Sequence, residues 1–226
     1  LIITAFYRRI GWREPPKWAD FLGSNLDWRM KTTETRPDGT ERITYANARL
    51  QPMLEVISTT DGGVTRQEGT YTRYDSRGLP IWVASPEAVS LPANLADIER
   101  YPDLLNEVAG NFQYISDTSG LIEVTNYATA TTATATLAGS VDRFVSCTAV
   151  MRGDRGTPVT QDAFTYFVQS GGGSTVMPLA SSTTYPNTTT TDVTPLRRLR
   201  LTSPGPLHVL ADLEARGGSP PNQVRD

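Results

Sequence analysis

The sequence predicts an all-β chain of repeated antiparallel β-hairpins in meander order, with one short helical insertion around residues 86–109. Three observations predict it. Thr-, Tyr-, Val- and Ile-rich runs alternate with polar residues at a period of two through much of residues 32–84 and 111–186, the pattern of half-buried strands. Turn-forming clusters punctuate those runs: Pro37-Asp38-Gly39, Asp61-Gly62-Gly63 and Gly171-Gly172-Gly173. Helical spacing of apolar residues between 86 and 109 is broken by Pro92 and Pro102, which confines helix to short turns.

The elements follow in order. Residues 1–31 read as an irregular N-terminal segment and as the cut edge of a longer chain; they hold Trp12, Trp18 and Trp28, and REPPKW (13–18) breaks any helix there. Residues 32–84 read as successive hairpins. Pro suits the first central turn position and Gly supplies a positive φ, so TETRPDGTERITY (33–45) reverses at Pro37-Asp38-Gly39. Asp61-Gly62-Gly63, flanked by strand formers, is the next reversal. Ser85-Pro86-Glu87 looks like a helix start, with Ser as cap and Pro in the first turn; Leu95, Ile98, Leu104, Leu105 and Val108 give the broken helical spacing. Residues 128–140, ATATTATATLAGS, carry no charge and read as a loop or a loose strand. In DRFVSCTAVM (142–151), Phe144, Ser146, Thr148 and Val150 fall on one face and Val145, Cys147, Ala149 and Met151 on the other. A three-stranded meander is predicted over 142–185, with bends at 153–156 and 171–173. Residues 187–226 read as a poorly ordered Pro- and Arg-rich tail, with LHVLADLEA (207–215) as its one short helix. The abrupt change of texture after Thr191 is also what a shift of reading frame produces.

Composition narrows the function. The 226 residues hold 38% hydrophobic and 20% charged side chains, enough for a core but not a rich one, and the net charge of −3 argues against a nucleic-acid partner. No apolar run approaches the roughly 20 residues of a membrane-spanning helix. Cys147 is the only cysteine, so no intrachain disulfide forms. One Cys and one His, His208, cannot supply the three or four ligands of a conventional zinc site. No cofactor or metal site is expected.

A signature recurs. Tyr74-Asp75-Ser76-Arg77-Gly78-Leu79 aligns with Ser116-Asp117-Thr118-Ser119-Gly120-Leu121, both giving Asp-x-x-Gly-Leu, with Tyr114 close to the second copy. A weaker copy starts at Asn47: Asn47-Ala48-Arg49-Leu50, with Leu50 at the glycine position and Gln51-Pro52 matching Leu79-Pro80. Asp or Asn accepts hydrogen bonds from amides two residues on, and Gly closes the bend in the left-handed conformation. The Tyr before the Asp is expected to pack its ring on the next strand with its hydroxyl near water.

The longer stretch TYTRYDSRGLPIWVASPEAV (70–89) resembles the YD repeat of the RHS (rearrangement hotspot) family, whose unit is a β-hairpin with a Tyr-Asp-x-x-Gly-Arg-Leu core. RPDGTERITYANARLQPMLEV (36–56), GNFQYISDTSGLIEVTNYA (110–128), RGDRGTPVTQDAFTYFV (152–168) and SSTTYPNT (181–188) look like the same family. The resemblance covers roughly residues 32–191; similar runs occur in very large RHS-repeat proteins of bacteria, including planctomycetes. The repeats are degenerate. Leu50 replaces the turn glycine, Leu79-Pro80 replaces Arg-Leu, Ser116 replaces Tyr, and the spacing is 28 residues (47 to 75) and then 42 (75 to 117).

The resemblance implies a non-enzymatic, structural segment of a secreted or cell-surface shell. Its partners would be neighbouring repeats of the same parent chain, with an enclosed toxin domain or a surface glycan as further partners. Two other classes are weighed. A carbohydrate-binding or adhesion module would use exposed aromatics such as Trp12, Trp18, Trp28 and Tyr101, or the Arg152-Gly153-Asp154 tripeptide; packing and a hairpin turn are the plainer uses of those residues. A glycoside hydrolase would pair Asp75 with Asp117 as acid and base; turn chemistry accounts for both positions more simply. Gly171-Gly172-Gly173 lacks the Lys-Ser/Thr of a phosphate loop and joins strand to strand.

Overall fold

The computed structural model describes residues 2–7, 26–171, 173–185, 197–201 and 211–214, the first and the last two stretches by backbone alone. The chain divides into two compact units, Leu1–Thr125 with Val150–Pro158, and Asn126–Ala149 with Val159–Asp226. Both are built of antiparallel strands, as the alternation predicted, and no helix among the described residues is long and apolar enough to cross a membrane.

In the first unit, β1 (Ile2–Tyr7), β2 (Trp28–Thr35), β3 (Glu41–Asn47), β4 (Pro52–Asp61), β5 (Val64–Tyr74) and β6 (Pro80–Ala84) each pair antiparallel with the next. The chain then leaves the sheet through the four-residue α1 (Ala96–Glu99) and a small hairpin, β7 (Glu107–Val108) with β8 (Asn111–Phe112). It returns as β9 (Leu121–Tyr127), which pairs with β6. The expected reversals are present. At Pro37-Asp38-Gly39 the Gly39 amide donates to the Arg36 carbonyl and Gly39 has φ 83°. At Asp61-Gly62-Gly63 both glycines are left-handed (φ 56° and 79°), as a two-residue hairpin turn requires.

Register decides the core. A strand shows alternate side chains to opposite faces, and the pairs Tyr45↔Leu54, Leu54↔Tyr71, Tyr71↔Ala84 and Ala84↔Ile122 form one row across five strands. Ile43↔Val56 lies on the same face. All seven are buried, and they pack in one cluster with Leu95, Ile98, Leu104, Leu105, Phe112 and Ile115 from segment 85–116. That segment therefore covers one face of the sheet. The other face carries an Arg42–Glu55 ion pair and the exposed Ile57. Polar bonds tie the cover down: Trp28 Nε1 donates to the Tyr101 carbonyl (3.1 Å), the Tyr71 hydroxyl to the Asp103 carbonyl (3.0 Å), and Lys31 Nζ and the Tyr45 hydroxyl to Glu99 Oε1 (2.6 and 2.9 Å). Arg73 reaches Glu107 (2.8 Å) while its guanidinium lies over the rings of Trp82 and Phe112.

In the second unit the strand order is β10 (Val145–Arg152, to Ala149 in this unit), β11 (Val159–Tyr166), β14 (Leu179–Thr184), β15 (Arg197–Leu201) and β16 (Ala211–Glu214); β12 (Gln169–Gly171) and β13 (Ser174–Val176) make a separate hairpin. The Asp162 carboxylate on β11 accepts from Thr148 on one side and Thr184 on the other.

Several expectations are corrected. Ile2–Tyr7 is a strand paired with β2, and β2 starts at Trp28, so residues 1–31 are not irregular throughout; Trp12 and Trp18 lie outside the described residues. Ser85-Pro86-Glu87 opens a turn, not a helix: the Ala88 amide donates to the Ser85 carbonyl, and Ser85 Oγ accepts from the Leu121 amide instead of capping. Four of the five apolar residues of the insertion are buried, but Val108 faces solvent. The meander over 142–185 is present as β10, β11 and β14, but both later strands are shorter than expected. The Phe167 amide still donates to the Pro178 carbonyl (2.9 Å), and beyond that bond the chain forms the separate β12–β13 hairpin. In the tail, Arg197–Leu201 pairs with β14 and Ala211–Glu214 with β15, so the first is a strand where no regular structure was expected and the second a strand where a helix was. Residues 211–214 belong to the expected helix at 207–215, and its remainder, with His208, lies outside the described residues. The uncharged run 128–140 is a loop, tied by Thr132 and Ser140 to each other.

Ile98 is the fully buried centre of α1. Ile98→Ala is expected to destabilise by about 2–4 kcal/mol, because a four-residue helix cannot hold itself and the cavity opens against the Tyr45 row. Urea unfolding followed by tryptophan fluorescence measures this.

Candidate functional site: stacked turns at Asn47 and Asp75

The two turns at this end of the sheet share one design. In the first, the Leu50 amide donates to the Asn47 carbonyl and the Asn47 amide to the Gln51 carbonyl. In the second, Gly78 donates to Asp75 and Asp75 to Leu79 in the same way. The side chains repeat as well. Asn47 Oδ1 accepts from the amides of Arg49 and Gln51 (2.9 and 3.0 Å), and Asp75 Oδ1 from those of Arg77 and Leu79 (both 2.9 Å). Each strand leaving a turn carries one extra residue just after it, Met53 on β4 opposite Tyr45/Ala46 and Ile81 on β6 opposite Arg73/Tyr74. Leu50 has φ 62° and Gly78 φ 85°, so Leu50 does stand at the glycine position and holds the left-handed conformation without glycine's freedom.

The turns are also bonded to each other. Arg49 Nη1 donates to the Arg77 carbonyl (3.0 Å) and Gln51 Nε2 to the Gly78 carbonyl (2.9 Å). Gln51 Oε1 accepts from Asn47 Nδ2 (3.0 Å), which aims the amide at the next turn. Tyr74 is buried, and its hydroxyl donates to the Pro52 carbonyl on β4 (2.9 Å) instead of reaching water; burial, chiefly, raises its pKa. Desolvation pushes the Asp75 carboxyl up, but the Leu79 and Arg77 amides and the Arg77 guanidinium (Nε–Oδ2 2.8 Å) outweigh it and hold it below the ordinary range.

The third copy is built differently. Gly120 has φ 72°, as expected. The anchoring side chain, however, is Ser116: its Oγ accepts from the Ser119 and Thr118 amides (3.0 and 3.4 Å). Asp117 is no turn acceptor; it is exposed and pairs with Arg155 (3.2 Å). One more residue separates the anchor from the left-handed glycine here, so aligning the copies on aspartate placed the wrong side chain in the turn. The Leu121 amide donates to Ser85 Oγ and its side chain is exposed; Tyr114 is half-buried beside Tyr101. Sequence reasoning missed Arg49, Gln51 and Ser116. The 28-residue offset between Asn47 and Asp75 was the available signal for the first two.

The other candidates are placed as follows. Trp28 is buried against Tyr45, edge to face. Gly153 of the Arg-Gly-Asp tripeptide is left-handed (φ 66°) and its amide donates to the Gly120 carbonyl. Cys147 is half-buried beside Asn126. Among the described residues no group of three or more His, Cys, Asp or Glu could hold a metal ion.

A substitution series reads the turns. Gly78→Ala should cost about 1–2 kcal/mol: the left-handed conformation is strained for alanine, and a methyl 2.6 Å from Arg49 Nη1 pushes that guanidinium off the Arg77 carbonyl. Gly120→Ala should cost about 3 kcal/mol or more, because a Cβ there lies 2.0 Å from the Ala88 backbone nitrogen. Leu50→Gly should stabilise by up to about 1 kcal/mol, as Leu50 is 68% exposed and loses little packing. Denaturation midpoints of the three variants give the order.

Asp75 also sets a pH dependence. Its folded pKa is lowered, so its contribution is present above the unfolded value, about 3.9, and is lost as pH falls through the folded one. Asp75→Asn, which copies Asn47, should keep the turn within about 1 kcal/mol at pH 7 and flatten this acid limb, as urea unfolding between pH 2 and 7 would show. Compared with protein-family models, with curated proteins and with solved structures, the chain matches none.

Proposed function

We propose that this chain is a structural β-hairpin segment of an RHS/YD-repeat protein, part of a secreted or cell-surface shell, with neighbouring repeats of the same parent chain as its immediate partners. The observation that carries the reading is the pair of hydrogen bonds from Arg49 and Gln51 to the carbonyls of Arg77 and Gly78. They bond one turn to its equivalent 28 residues on, the nearest-neighbour coupling on which a repeat array depends. The same chemistry weighs against a catalytic use of Asp75, whose two carboxylate oxygens bond to the Arg77 and Leu79 amides and to the Arg77 guanidinium. It gives the adhesion reading no support at Trp28, which lies in the core.

The test is length. Repeat proteins gain stability from each added neighbour until the end effects are diluted. The chain extended at either side by the adjoining hairpins of its parent gene should unfold at a higher midpoint and with a larger m-value. Extension that leaves both unchanged, or parent sequence without further Asx-x-x-Gly hairpins, rejects the reading.

A further inference from the structure

Two loops of the first unit are stitched together by their backbones. The Gly153 amide donates to the Gly120 carbonyl (3.0 Å), the Asp154 amide to Ser116 (2.9 Å) and the Arg155 amide to Asp117 (3.3 Å). The two backbones pack closely: a Cβ on Gly153 would lie 2.4 Å from the Asp117 carbonyl carbon, and one on Gly120 would strike Ala88. The stitching brings Asp154 beside Asp117, and the Asp117 carboxylate acts on the Asp154 carboxyl both as a like charge and as a hydrogen-bond acceptor. Asp154 Oδ1 is shut off from water and has no hydrogen-bond donor. An ionised carboxylate in that position is costly, because the lost water is not replaced.

We propose that Asp154 and Asp117 form a proton-operated clasp, which closes on acidification when Asp154 takes up one proton and donates it in a hydrogen bond to the Asp117 carboxylate. The proton comes from solvent, and no other bond is made or broken. With Asp154 deprotonated, neither carboxylate has a proton to donate, both are acceptors only, and their repulsion loosens the turn 152–156 from loop 116–121. The charged groups facing Asp154 are Asp117 from that loop and Arg155 from its own turn. Arg155 also pairs with Asp117 and donates to Asn111, so it stays engaged with the loop and with the β7–β8 hairpin in either state.

Burial first, and the Asp117 charge and hydrogen bond after it, raise the Asp154 pKa. A carboxyl raised in the folded state contributes most below the unfolded value, about 3.9, and that contribution is lost as pH rises through the folded value. This is the opposite sense to Asp75, whose turn weakens as pH falls, so the two sites control for each other.

Hydrogen exchange of the intact chain, read by NMR and corrected for intrinsic rates, tests the clasp. In the wild type, protection of the Gly153, Asp154 and Arg155 amides should fall about threefold or more between pH 4 and pH 7, while the Gly78 and Leu79 amides show no such fall. In Asp154→Asn the side-chain amide donates to Asp117 at every pH, so protection should stay high and flat. An unchanged wild-type ratio, or an Asp154→Asn chain that keeps the wild-type pH dependence, overturns the proposal. Carbon-13 titration of the wild-type carboxyls needs no variant to fold. It should place Asp154 above the ordinary aspartate range, and a value within or below that range overturns the proposal as well.

Discussion

The first unit depends on one constraint: an apolar row on the sheet must be covered, and only residues outside the sheet can cover it. Tyr45, Leu54, Tyr71, Ala84 and Ile122 stand side by side because antiparallel register leaves them opposite one another. At roughly 25 cal/mol for each Å² of apolar surface removed from water, such a row drives folding only when something lies on it. Segment 85–116 does so with Leu95, Ile98, Leu104, Leu105, Phe112 and Ile115. Its poor helical character then makes sense. The segment needs little regular structure of its own, because Trp28, Lys31, Tyr45, Tyr71 and Arg73 hold its backbone and charges from the sheet.

At the end of the sheet a different economy operates. The turn residues 47–51 and 75–79 bury little apolar surface, though Asn47 itself is fully buried, so polar bonds and conformational strain decide their stability. Asn47 and Asp75 solve the same problem with an amide and with a carboxylate, which makes only the second sensitive to acid. Leu50 holds a left-handed conformation that Gly78 adopts freely, so the first turn carries strain absent from the second. The bonds from Arg49 and Gln51 spread that local cost over two turns. The coupling of Asp154 to Asp117 belongs to the same class of interaction, with the sign of its pH response reversed by burial without a donor.

Some of the candidate site was legible in the sequence. Asp-x-x-Gly announced a left-handed glycine at 78 and at 120, because few other residues suit that conformation. Asp-Gly-Gly announced its reversal for the same reason. Leu50 was legible by alignment alone, since nothing in a leucine advertises a positive φ. Ser116 was not legible: Ser and Asp both accept amide hydrogen bonds, and which of two neighbours does so depends on how many residues the loop spans. Tyr74 was misread because a hydroxyl finds either water or a carbonyl, and the sequence does not record that Pro52 lies across from it.

By itself the sequence determined the strand alternation, the places of reversal and the exclusion of a disulfide within these 226 residues. Those follow from local properties: side-chain period, the dihedral freedom of glycine and proline, and a single cysteine. Tertiary structure decided the rest. It made Ser85-Pro86-Glu87 a turn where local preference allowed a helix start, because Ser85 Oγ is taken by the Leu121 amide. It made strands of Arg197–Leu201 and Ala211–Glu214, where composition suggested none, because β14 and β15 offer backbone partners at their edges. Backbone pairing is blind to most side chains, so a partner strand can order a segment whose own residues would not order it alone.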